Sequence, residues 1–183
     1  MIAAFPPNQV RQLEPIMIHF AIAVLLAAGV LPGDPAAGEE TRQAMPVEYQ
    51  VHPIGHVRKS GDRTLIVLDK KFEPGVLGLD QWSHVQVIWW FDKNDTPEKR
   101  AVLQVHPRGD QKNPLTGVFA TRSPFRPNLI ALTLCKIVSV KENVVEVEKI
   151  DAFEGTPVLD IKCYAPGQDS ADEVKVPDWA KPK

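Results

Sequence analysis

Apolar and polar positions alternate in short runs along most of this chain. "TLIVLD" (64–69), "SHVQVIWWF" (83–91), "TGVFAT" (116–121), "VVEVEKI" (144–150) and "PVLDIKCY" (157–164) carry the β-branched and aromatic residues of strands. "VHPIGHV" (51–57) precedes them, and "LIALTLCKIVSV" (129–140) is the most apolar of the set. Turn chemistry separates the runs: "SGDR" stands before the second, and "KENV" (141–144) joins two runs as a hairpin turn does. No long stretch follows a 3.6-residue period. "TPEKRAVLQV" (96–105) predicts one helical turn, with Thr96 as N-cap and Pro97 at the first helical position.

Seven short strands in so few residues predict an all-β fold, a small closed or nearly closed β-barrel with few helical turns, because closure removes exposed strand edges. "VVEVEKI" alternates apolar and charged residues and predicts one wet face. "LIALTLCKIV" is apolar at nearly every position. It is expected to be covered on both faces, the second by a dimer partner or a ligand. The predicted organisation is an N-terminal extension (1–44) outside the fold, a barrel domain (45–166) and a loosely ordered tail (167–183) that Trp179 pins to the barrel.

The N-terminal extension leaves two alternatives open. Residues 20–31, "FAIAVLLAAGVL", are too few to span a bilayer but fit the apolar core of a secretory signal, with "AAG" (36–38) as a cleavage site. That reading makes the protein exported. The other places the true start at Met45, directly before the domain, and makes it cytoplasmic.

Charge changes the picture locally. The formal net charge is −2, which gives no global basic signature of a nucleic-acid binder. Between Lys99 and Arg126, however, six basic residues face Asp110 alone, for a local balance of +5. From Glu142 to Glu154 the sign reverses. An anion-binding side and a cation-tolerant side follow, unless both are plain solvated surfaces. Cys135 and Cys163 match no zinc or redox spacing and are expected to be reduced, buried strand residues. The "RGD" at 108–110, inside "HPRGD", is read as coincidence.

Four segments, in order, carry a resemblance: "HPIGHV", "GLDQWSHVQVIWWF", "GVFATRSPFRPN" and "DAFEGTPVLDIKCY". Together they resemble the TsaA-like (TrmO) family over roughly residues 50–166. That family comprises S-adenosylmethionine-dependent methyltransferases of tRNA that modify N6 of threonylcarbamoyladenosine beside the anticodon. The resemblance implies a dimerising small β-barrel whose loops, rather than a Rossmann sheet, hold S-adenosyl-L-methionine. It implies Arg122, Leu132, Asp151 and Glu154 as cofactor contacts, with Asp92 and Lys93 standing where the family places a histidine and a polar neighbour. An arginine fork suits the cofactor's carboxylate, and acids suit its ammonium and ribose diol. Pro124 and Pro127 fix φ on either side of Arg126, which stiffens the turn.

His84 and Asp92 are the candidate proton acceptors, with His84 more simply read as a structural group in the "WSH" corner. Arg126, Asn128, Arg108 and Lys112 are the candidate substrate contacts, and Trp89 or Trp90 a base-stacking ring unless both are core. The expected partners are tRNA and a second copy of the chain, with no metal and no membrane span. The chain departs from the family pattern in four places. A segment after the first strand is missing, Asp92 and Lys93 replace the histidine and its neighbour, "RPNPIG" has become "RPNLIA", and "DIKPY" has become "DIKCY". These departures motivate a second reading: a non-catalytic, repurposed barrel that binds a small nucleoside-like or anionic ligand.

Overall fold

The computed structural model describes residues 48–181. The apolar block at 20–31, and with it the choice between export and a start at Met45, lies outside the described residues. Among the described residues, no helix is long and apolar enough to cross a membrane.

Six strands close into a barrel: β1 (Gly55–Ser60), β2 (Arg63–Leu68), β3 (His84–Trp90), β6 (Ile130–Lys141), β7 (Val144–Val147) and β8 (Pro157–Cys163), in the order β1-β2-β7-β6-β3-β8. Every neighbouring pair is antiparallel. β1 and β2 are joined directly by Gly61 and Asp62, with Ser60 opposite Arg63, so the hairpin leaves no room for an inserted segment. Two minimal strands, β4 (Gln104–Val105) and β5 (Thr116–Gly117), pair as a ribbon outside the barrel. The all-β barrel expected from the alternation is therefore present, with six strands in its wall in place of seven. "TGVFAT" is the misread run. Only Thr116 and Gly117 pair, and Val118–Ala120 turn as a 3-10 helix held by the Thr121 hydroxyl on the Val118 carbonyl (3.0 Å).

The period of two fills the interior. Val57, Ile66, Val85, Val87, Val145, Val147 and Val158 point inward and are almost completely buried. Trp89 joins them, and its indole N–H donates to the Thr133 hydroxyl (3.0 Å), which satisfies the one polar atom it carries inside. Leu129 and Ala131, two of the family departures, are both core positions. The expected helical turn is α1 (Pro97–Arg100), capped by the Thr96 hydroxyl accepting from the Lys99 N–H. Lys141 pairs with Val144 across the "KENV" turn, where Glu142 adopts φ +51°. The tail contains a helical turn α2 (Pro166–Asp169) and a 3-10 turn at Asp178–Ala180 that leaves Trp179 half-buried.

One expectation is corrected. Cys135 is buried and its thiol is pushed up to about 11 by desolvation, but Cys163, the last residue of β8, is exposed. Both are free thiols. On β6, Ala131 and Cys135 point in, while Ile130, Leu132, Leu134 and Val138 stand 42–56% exposed on the outer side, the face for which a partner or a ligand is expected.

Closure depends on the shortest seam. β1 meets β8 only through Gly55 opposite Val158 and His56 opposite Pro157. Three further bonds extend it: Ile54 N–H to Val158 (2.8 Å), Val57 N–H to Thr156 (2.9 Å) and Gly155 N–H to Val57 (2.8 Å). Gly55 is pressed against β2 so closely that a Cβ would lie 2.2 Å from the Val67 carbonyl oxygen. Gly55→Ala is expected to destabilise the fold by about 2–4 kcal/mol, since the obstruction is backbone that cannot swing away. The midpoint shift in urea unfolding, at unchanged m-value, measures it; a shift near zero contradicts the close approach.

Candidate functional site

The antiparallel register gathers three loops at one rim of the barrel. β3 ends beside the starts of β6 and β8, with Trp90 opposite Ile130 and Trp89 opposite Val158. The loop after β3 (91–95), the turn before β6 (121–129) and the loop before β8 (150–156) therefore share one opening, although the first and last lie 55–65 residues apart.

The opening is a cleft of about 660 Å³. Ile130, Leu132, Leu134 and Phe91 supply its apolar surface, Arg122, Arg126 and Lys93 its cations, and Asp92 and Asp151 its acids. Phe153 lines it from the loop before β8. Phe91 packs edge-on against Trp89 with ring centroids 4.7 Å apart, which ties the cleft wall to the barrel core.

Each loop is stiffened by local bonds. In the turn before β6, Thr121 Oγ1 accepts from the Ser123 N–H (3.2 Å), Ser123 Oγ accepts from the Phe125 N–H (3.1 Å), and Arg126 donates to the Ser123 carbonyl (3.1 Å). Arg100 reaches over from α1 to the Pro127 carbonyl (2.8 Å) while its Nε donates to Asp95 (2.8 Å). Hydrogen bonds from Arg100 and the Trp90 indole hold the Asp95 carboxyl below its ordinary range. Arg122 donates to the Leu132 carbonyl, which lays its guanidinium across the start of β6.

The loop before β8 is a tight turn. The Phe153 carbonyl accepts from the Thr156 N–H (3.3 Å), and Gly155 supplies the positive φ (+78°) that a type II turn requires at its third position. Thr156 is fully buried and its hydroxyl works twice, accepting from the Phe153 N–H (3.2 Å) and donating to Asp92 Oδ1 (3.2 Å). Lys93 pairs with the other Asp92 oxygen (2.9 Å). One hydroxyl thus couples the barrel seam to two loops of the cleft.

Of the residues singled out in the sequence, the cleft brings together Arg122, Leu132, Asp151, Asp92, Lys93 and Arg126. Glu154 is not among them: its carboxylate accepts from the backbone N–H of Lys59, which draws it toward β1. His84 stands at the opposite end of β3, about 17 Å along the strand from Trp89. There it bonds Ser83 Oγ (2.9 Å) and packs against Tyr164, a structural corner rather than a proton acceptor for the cleft.

Asn128 is exposed outside the cleft lining, and its carbonyl accepts from the Ile130 N–H. Arg108 and Lys112 project from the loop between β4 and β5 and do not line the cleft. That loop is rigid in its own right, closed by His106 to the Asn113 carbonyl (2.8 Å) and Asn113 to the Pro107 carbonyl (2.9 Å), with Arg108 at φ +60°. Neither tryptophan is free to stack on a base. Trp89 is core, and Trp90 bonds Asp95 (3.0 Å) beneath the Arg100 guanidinium, 5.3 Å from its ring centre.

Phe153 and Thr156 were missed. The signal for Thr156 was present in "EGTPV", where a hydroxyl follows the turn glycine and precedes a proline.

The profile of the tRNA-methyltransferase O N-terminal domain matches residues 44–170, and the chain belongs to that family. A probable S-adenosyl-L-methionine-binding protein of Methanocaldococcus jannaschii is 45% identical over 117 residues, covering 64% of this chain and 93% of that protein. The human tRNA (adenine(37)-N6)-methyltransferase is 43% identical over 105 residues, covering 57% of this chain. This chain spans only 23% of that enzyme's length. The crystal structure of TrmO from Pseudomonas aeruginosa superposes with a TM-score of 0.58 at 27% identity, covering 74% of this chain and 63% of that one.

The Thr156 hydroxyl yields a direct test. Thr156→Val removes one donor and one acceptor from a buried site and is expected to cost about 1–3 kcal/mol in urea unfolding. Thr156→Ser keeps the hydroxyl and is expected to retain most of that stability. Equal losses in the two variants show that the hydroxyl bonds are not what holds the turn.

Proposed function

We propose that this barrel binds S-adenosyl-L-methionine in the rim cleft and transfers its methyl group to N6 of the modified adenine at position 37 of tRNA. The observation that carries the reading is the convergence of Arg122, Asp92 and Asp151 on one partly apolar cleft. Its volume lies within the roughly 300–1,000 Å³ of small-molecule sites. The donor set fits the cofactor: a guanidinium for the carboxylate, carboxylates for the ammonium and ribose, and an apolar wall for the adenine.

Bound there, S-adenosyl-L-methionine supplies an electrophilic methyl group on a sulfonium. The chain's own contribution is positioning and exclusion of water. Arg122, braced on the Leu132 carbonyl, orients the carboxylate end. Leu132 and Ile130 keep water from the reacting side. Asp92 is the candidate acceptor that stands in the cleft, its carboxylate fixed by Thr156 and Lys93. It takes the proton that the methylated nitrogen releases. Glu154 reaches the ligand only by giving up its bond to the Lys59 N–H.

The relatives' names support the reading: archaeal proteins that this chain covers over most of their length are named for binding S-adenosylmethionine, and the human one for methylating tRNA. A tRNA substrate favours the cytoplasmic alternative over export. The homodimer belongs to the same proposal, with the outer side of β6 beyond the cleft, at Val138, as the surface a second copy would cover. The non-catalytic reading differs in its ligand as well as its chemistry: a small nucleoside-like or anionic molecule bound in the cleft, with no affinity for the cofactor and no transfer.

Titration calorimetry with S-adenosylhomocysteine tests the cofactor. Wild type is expected to bind, and Arg122→Ala to bind about tenfold to a hundredfold more weakly, the cost of a charge-assisted bond. Arg126→Ala is expected to cost less, because Arg126 braces Ser123. Equal binding by wild type and Arg122→Ala rejects the pocket assignment. Transfer of labelled methyl groups to tRNA separates the enzyme from the binding protein.

The projecting loop supplies a second test. Affinity for tRNA is expected to fall linearly with salt on a log–log plot. Replacing Arg108 and Lys112 by alanine is expected to flatten the slope by roughly one to two units, about 0.9 for each phosphate that is no longer neutralised. An unchanged slope places the RNA elsewhere.

A further inference from the structure

Phe153 is an exposed aromatic ring on an otherwise well-braced site. It is 68% exposed yet lines the cleft. Neither of the aromatic pairs among the described residues, His84 with Tyr164 and Trp89 with Phe91, includes it. Both of its backbone polar groups are bonded to Thr156, and the Thr156 hydroxyl is anchored on Asp92. The ring is therefore carried by a turn whose backbone is bonded at both of its polar groups. A large apolar ring held out in water gains nothing for folding, and a rigid mount lowers the entropy lost when a ligand covers it.

Resting on the methyltransferase reading above, we infer that Phe153 is the stacking platform for the target base of the RNA substrate. A flat nucleobase matches the ring, since unstacked bases of single-stranded RNA bind aromatic side chains face to face. The charges around it match too: Arg126 and Lys93 border the same cleft and suit the phosphates on either side of a splayed base. The two tryptophans that could compete for the role are committed, Trp89 to the core and Trp90 to Asp95 and Arg100. The cofactor's own adenine, also a flat purine, is better served by the Ile130–Leu134 wall, which is continuous with the barrel. Phe153 stands at the rim, where an incoming macromolecule arrives.

The test compares Phe153→Ala and Phe153→Tyr with wild type in two titrations. One uses S-adenosylhomocysteine in the calorimeter. The other uses an anticodon stem-loop RNA carrying 2-aminopurine at position 37, read by fluorescence at several salt concentrations. Phe153→Ala is expected to bind the RNA about tenfold to a hundredfold more weakly, to lose the stacking-dependent quenching, and to keep the wild-type salt slope, because every phosphate partner is still in place. Phe153→Tyr is expected to restore binding and quenching. Affinity for S-adenosylhomocysteine is expected to stay within about twofold in both. An alanine variant that loses cofactor affinity instead puts the ring on the cofactor's adenine and overturns the assignment. One that binds RNA like wild type also overturns it, while leaving the methyltransferase reading intact. Wild type that binds neither probe rejects that reading, and the assignment falls with it.

Discussion

The close approach of Gly55 to β2 is the constraint on which the rest depends. A barrel wall of six strands curves tightly, and here two backbones meet where a single methyl group would not fit. On its other side Gly55 belongs to the β1–β8 seam, which is short, with two paired positions and a few flanking bonds. Those flanking bonds run through Gly155 and Thr156, the residues that also shape the cleft. Closure and site geometry are therefore one problem. The wall cannot shut without bringing the turn before β8 into place, and that turn brings Asp92 and Phe153 with it.

A second principle is the division of the basic residues. The run from Lys99 to Arg126 reads as one positive surface, but its members do different work. Arg100 and Lys99 are internal braces, the first on Pro127 and Asp95 and the second on the Lys93 carbonyl. Arg126 holds its own turn, Arg122 lies across β6, and Arg108 and Lys112 stand on a separate rigid loop. A stretch dense in proline and arginine is thus a scaffold first. Its charge serves a ligand only where backbone carbonyls leave donors free, since an arginine carries five and one or two suffice to brace a turn.

How far the sequence reveals this depends on whether the information is local. Strand positions followed from alternation, and the α1 cap and the "KENV" turn from residue chemistry, because each is decided within a few residues. Membership of the cleft was legible for Arg122, Leu132 and Asp151 through the motifs, and antiparallel pairing then explains their meeting. What failed was orientation. Period two sends Trp89 in and Trp90 out, but nothing local says that Arg100 and Asp95 then occupy Trp90. Glu154 occupies a motif position yet turns to the Lys59 N–H, a partner 95 residues away. "TGVFAT" has strand composition, but only one short ribbon is there to pair with it, so most of it coils. Cys163 looked like core because β8 does; strand ends leave the packed interior.

The turn from Phe153 to Thr156 has a consequence for how such a site could be altered. Its shape is set by Gly155 and Thr156, which face the seam, and Glu154 ties it to β1, while the side chain at 153 takes no part in closing it. That one position can be exchanged without disturbing the wall. The barrel thereby separates mount from tool: a braced turn that closure requires, and a side chain on it that can be swapped at no cost to the mount.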